Sequence, residues 1–166
     1  GDNNMKYNEN AKENLNILAK GAFITSQYAG QTNVMTIGWG AIGNIWAKPV
    51  FIAMVRKSRF THDLLDKSNE FTITIPHEDM GEALALCGSK SGRTIDKIDA
   101  LGLKTAESEK INTPRLDCKG THYECMVLYK TDMKPAALDE ITKERWYSDD
   151  DYHTIYFAEI VNTVEK

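Results

Sequence analysis

A chain of 166 residues with 42% hydrophobic and 27% charged residues and only four prolines is sized for one domain, and it excludes collagen-like, low-complexity and disordered classes. Its 20 Lys+Arg against 24 Asp+Glu give a formal net charge of −4, the wrong sign for a broad surface on nucleic acid or an anionic membrane. Any anion site must therefore be local.

Three cysteines, Cys87, Cys118 and Cys125, form no even set and no C-x-x-C, so buried thiols in a reducing cytoplasm are expected, with no disulfide framework and no metal. No run approaches the ~20 apolar residues of a membrane span, and no signal-peptide core is seen. Gly1, ahead of the first methionine at Met5, reads as a remnant of cleavage and carries no weight.

Residues 1–12 are expected to be a flexible segment ahead of one domain over 13–166. A short amphipathic helix near Glu13–Lys20 leads to two apolar runs, Gly21–Gln27 and Val34–Trp39, whose turn holds Gly30 and Asn33: a β-hairpin. Pro49 precedes a strand at Val50–Val55, Phe60, Leu64 and Leu65 share one face of a helix over Arg59–Ser68, and Glu70–Ile75 reads as a strand. Asp79 is placed to cap a helix that ends near Gly88, and Ile95–Leu101 reads as another. Strands are expected at Gly102–Ala106, Tyr123–Lys130 and His153–Val164, the last central and buried because TIYFAEIV is nearly continuous in apolar residues. Between the last two, Ala136–Trp146 has helical periodicity that sets Trp146 far from every motif, and 147–151 reads as a solvated acidic loop. Many strands joined by hairpins, with few helices, predict a mainly β protein: an antiparallel barrel with peripheral helices.

Four segments carry chemistry. Gly38–Gly43 matches G-x-G-x-x-G in letters, but it leads into another strand, and the dinucleotide fingerprint needs a helix there. Arg56-Lys-Ser-Arg-Phe-Thr-His62 gathers cations and hydroxyls at a predicted helix start, which suits a phosphate monoester or, equally, a solvated strand end with an ordinary N-cap. Gly88-Ser-Lys-Ser-Gly-Arg-Thr94, followed by Lys97, is a second basic, hydroxyl-rich loop that reads as an anion site or as an exposed turn. On the strand Asn33–Trp39, residues of one parity face a core and the others face something flat and partly polar, and Trp39 itself reads as core packing or as the wall of a ligand site.

Taken in order, NVMTIGWG, the KP pair, RKSRFTHDLL, CGSKSGRTIDKI and the C-terminal HTIYFAEIV resemble the flavin reductase-like, FMN-binding split-barrel family, which includes flavoredoxins, over residues 18–165. The resemblance implies a Greek-key split barrel, a homodimer, and non-covalent FMN near the subunit interface. The implied flavin contacts are Asn33, Met35, Thr36 and Trp39, with Ser58, Arg59 and Thr61 at the phosphate and Arg56 among the cofactor-binding residues. Ser91, Gly92 and Lys97 would close over the cofactor, and His122 would lie near the ring. The implied activity passes electrons from NAD(P)H through FMN to flavin or another acceptor. A flavoredoxin-like carrier that serves a redox protein partner, and a cofactor-free binding module, are the alternatives. No catalytic side chain is expected, because the flavin supplies the redox chemistry.

Overall fold

The computed structural model describes residues 5–166. In chain order its elements are α1 (Ala11–Leu18), β1 (Ala22–Tyr28), β2 (Gln31–Ile37), β3 (Ala41–Ile45), β4 (Lys48–Arg56), α2 (Phe60–Ser68), β5 (Glu70–Pro76), α3 (Gly81–Ser89) and α4 (Lys97–Leu101). They continue with β6 (Thr105–Ala106), β7 (Arg115–Leu116), β8 (Gly120–Asp132), a 3-10 turn at Pro135–Ala137, α5 (Glu140–Trp146) and β9 (His153–Glu165). Seven strands form one antiparallel sheet in the order β2-β1-β5-β8-β9-β4-β3, and β6 pairs with β7. The protein is mainly β with peripheral helices, as the sequence predicts.

The connection between the two edge strands shows that this sheet is rolled. At about 4.8 Å per strand, the edges of a flat sheet this wide would stand roughly 30 Å apart. Yet β2 and β3 are joined through Gly38, Trp39 and Gly40 alone, and the Cα path from Ile37 to Ala41 reaches at most about 15 Å. The edges must curl towards each other, with Trp39 at the seam. Gly38–Gly43 thus bridges two strands and opens no helix, which rules out the dinucleotide reading.

Two apolar clusters lie on opposite faces of the sheet, as the two-residue period of a strand requires. Ile24, Met35, Ile37, Phe51, Phe71, Ile73, Tyr123 and Tyr156 belong to the larger one. Phe23 and Val34 point the other way, to Ala83 and Cys87 of α3, Leu116, and the partly buried Ile98 and Leu101 of α4. The β1–β2 strands are therefore covered on both faces.

The first hairpin is tighter than the sequence predicts. Its turn is Ala29-Gly30 alone, both at positive φ (51° and 79°), so β2 begins at Gln31 and not at Val34. Two-residue turns of this hand match the twist of the flanking strands, which outweighs the strain at Ala29. A second such turn, Trp46-Ala47 (φ 55° and 58°), joins β3 to β4, and it was hidden because neither residue is Gly or Asn. Gly88 lies inside α3 and does not follow it. Of the expected flexible segment 1–12, residues 1–4 lie outside the described residues, the Met5 amide donates to Thr163 O at 3.1 Å, and Tyr7 packs on the larger cluster. Cys87 and Cys125 are buried and Cys118 is half-buried, all as thiols.

Candidate functional site

Where β2 runs out to the seam, Met35, Thr36, Ile37, Gly38 and Trp39 line a cleft of about 190 Å³, opposite Met54 and Arg56 of β4, Arg59, and His153 at the start of β9. Trp39 is 40% exposed and thus belongs to the wall of the cleft, not to the core. Met35 is only 5% exposed and packs in the larger cluster, and the Thr36 hydroxyl donates to Leu84 O at 2.6 Å. The expected stripe therefore divides: its end at Trp39 is open, its middle is packed.

Arg59 sits at the N-cap of α2 in extended conformation, so the first amides of the helix and the positive end of its dipole open towards the same region. Its guanidinium reaches the carbonyls of Gly88 (3.2 Å) and Cys87 (3.4 Å), and burial pulls its pKa down while nearby Asp151 holds it up. Both the amide and the hydroxyl of Ser58 donate to the Asp151 carboxylate, at 3.3 and 2.5 Å. Arg56 donates to the carbonyls of Asp151 (2.7 Å) and Trp146 (3.0 Å), and its guanidinium stands over the Tyr147 ring. Asp151 was expected in a solvated loop; the cationic start of α2 draws it in.

The second basic loop braces the first. Gly92 passes so near Asn33 and Phe60 that a Cβ there would fall 2.7 Å from the Phe60 ring, so the position requires glycine. Arg93 donates to Ser58 O at 2.8 Å and to the Asp63 carboxylate, and its guanidinium lies over Phe60. Ser91 is used locally, its hydroxyl accepting the Arg93 amide. Lys97 is 3% exposed, and its ammonium donates to Val34 O (3.0 Å) and Cys87 O (3.1 Å). Burial, then the nearby Arg59, pushes its pKa down to about 8. Asn33 donates to the Thr61 hydroxyl at 3.0 Å. Asn33, Phe60, Gly92, Arg93 and Lys97 edge a second cleft of about 440 Å³ farther along β2.

Met35, Thr36, Trp39, Arg56 and Arg59 thus share one cleft, with Ser58 held beside it through Asp151, while Asn33, Gly92 and Lys97 share the other. His122 lines neither: it is fully buried between the Thr74 hydroxyl (2.9 Å) and Cys118 O (3.0 Å), and burial pulls its pKa down to about 4.

Sequence reasoning missed His153 and misplaced Trp146. The Trp146 ring makes an edge contact with Trp39 at 4.9 Å between centroids, which overturns its expected remoteness. His153 lies 5.6 Å from Trp39, and burial, then Arg56, pulls its pKa down to about 4. Nδ1 of the neutral ring shares a hydrogen bond with the Tyr147 hydroxyl, 2.6 Å away. Its place at the head of a strand, two residues after an aspartate run, was the only signal in the sequence.

The comparisons with known proteins bear on the fold and the family. An uncharacterised protein of Pyrococcus abyssi is 29% identical over 104 residues, 63% of this chain and 59% of its own length, so the chain spans less than two thirds of that relative. The fold matches flavoredoxin from Methanosarcina acetivorans with a TM-score of 0.70 at 19% identity, covering 88% of this chain and 68% of that one. It also matches an FMN-binding protein from Thermus thermophilus, solved with p-hydroxybenzaldehyde, with a TM-score of 0.68 at 21% identity, covering 88% of this chain and 71% of that one. The family model described as "Flavin reductase like domain" matches residues 18–166, and this chain belongs to that family.

Proposed function

We propose that the chain binds FMN non-covalently at the Trp39 cleft and passes electrons from NAD(P)H through it to flavin or another acceptor. The observation that carries this reading is the meeting, in a flavin reductase-like domain, of an open tryptophan at the seam with an anion-binding helix start. The donor set fits a phosphate monoester, since the Ser58 amide and hydroxyl beside Arg59 already hold a carboxylate, a smaller anion of the same sign. Bound flavin would supply the hydride and electron chemistry. The chain's own residues do the rest: Ser58 and Arg59 hold the phosphate, Trp39 and Trp146 wall the ring, and His153 lines the cleft without changing charge near neutral pH.

Self-association into a homodimer belongs to the same proposal. Its support, besides the resemblance, is the exposed aromatic group of Trp46 (56%) and Tyr129 (51%) packed with Phe157 on β9, a surface of the kind that a twofold copy covers. Among the described residues no helix is long and apolar enough to cross a membrane. The test is an absorbance spectrum of protein reconstituted with FMN, before and after nicotinamide under argon, with sedimentation at micromolar concentration. A bound yellow chromophore bleached by NADH or NADPH is expected. Bound FMN that nicotinamide leaves oxidised would assign the carrier reading, and no FMN binding would remove both.

A further inference from the structure

Asp151 stands in a loop with two other aspartates, where like charges gain by spreading into water, yet its side chain turns inwards. Its two carboxylate oxygens take the Ser58 amide (3.3 Å) and hydroxyl (2.5 Å), next to Arg59. The loop is held in that pose from both ends. The Asp151 amide donates to Asp149 Oδ1 at 3.1 Å, while Arg56 bridges the carbonyls of Asp151 and Trp146. The same segment brings Trp146 against Trp39 and ends in His153, so the anion at the start of α2 is continuous in the chain with one wall of the cleft.

We propose that Asp151 is a tethered competitor for the phosphate end of the ligand: it occupies the Ser58 donors until a phosphate monoester displaces it. The choice of flavin as ligand rests on the reading above; the competition for the Ser58 donors does not. Two anions cannot share one N–H and one O–H, and their charges repel at that separation. The tether keeps the carboxylate at high effective concentration, so a freely diffusing ion of equal charge gains nothing by exchange. A phosphate monoester brings up to two charges and three acceptor oxygens, which suits the neighbouring Arg59 better than a carboxylate does. Asp151 thereby sets the affinity for phosphorylated ligands and leaves neutral ones untouched.

The experiment compares the wild-type protein with Asp151→Asn and Asp151→Ala, reading the Ser58 amide resonance during titration with inorganic phosphate, then dissociation constants for FMN and riboflavin. The loop is at the surface, so both variants should retain the wild-type fold, which circular dichroism checks. Phosphate should shift the Ser58 amide at about tenfold lower concentration in both variants, and FMN should bind about tenfold tighter while riboflavin is unchanged. Superimposable phosphate titrations in all three proteins would overturn the competition, whatever flavin does. Loss of charge competition seen with phosphate, together with no FMN binding in any of them, would remove the flavin reading and leave this one standing.

Discussion

In the sequence, the loops at 56–61 and 88–97 look alike: short, basic and rich in hydroxyls. In the structure they do opposite work. The first opens its donors to an anion, with the Ser58 amide and hydroxyl on a carboxylate and Arg59 beside it. The second spends its cations within the protein, Lys97 onto two buried carbonyls and Arg93 onto Ser58 O and the Asp63 carboxylate of α2. A positive charge in a loop thus marks an anion site only where a neighbouring amide or hydroxyl takes an anion, as Ser58 takes Asp151 at the start of α2, and not where, as at Lys97, the donors end on carbonyls.

The largest expected effect tests the brace. Lys97→Met keeps most of the packing of the stem but removes the donors of Val34 O and Cys87 O, which should cost about 3 kcal/mol of stability in chemical denaturation. A rise in stability would mean that burying the ammonium outweighs its two bonds and that the second loop is no brace. Next comes the cup: Arg59→Ala should weaken FMN by about 1.5–3 kcal/mol in a binding titration and riboflavin much less, and equal losses would end the contrast between the loops.

Acid should act on neither loop directly, but through the two histidines. His122 and His153 are both pulled from 6.5 down to about 4 in the fold, so the unfolded chain binds the extra protons between those values. Stability should therefore fall as the pH is lowered from about 6.5 towards 4, and thermal denaturation of His122→Asn should show a shallower fall. An unchanged slope would mean that His122 does not contribute. The smallest effect belongs to Arg93→Ala, whose ion pair with Asp63 is half-exposed: below about 1 kcal/mol of stability, with any change in FMN affinity arising through the Ser58 carbonyl.

Much of this architecture was legible in local sequence. The apolar runs of β1 and β9, the faced leucines of α2 and the glycine of the first turn each carry a signal within ten residues. The β3–β4 turn did not, because Trp46 and Ala47 take positive φ without the residues that usually announce it. The candidate site was half legible. Trp39, Arg56 and Arg59 lie near one another in the chain, but their partners Trp146, Asp151 and His153 come from the end of α5, the loop after it and the start of β9, about a hundred residues away. Periodicity states which way a side chain points, and only the pairing of β4 with β9 states what it meets.

The bond from Lys97 to Val34 O bears on how the protein behaves in a crowded solution. β2 has a strand neighbour on one side only, so its other side is an edge, and an uncovered edge is a template on which another chain's strand can add. Lys97 caps a carbonyl of that strand, and α3 and α4 pack beside it. A residue that looks like part of a ligand site thus also guards the molecule against joining edge to edge with its own kind.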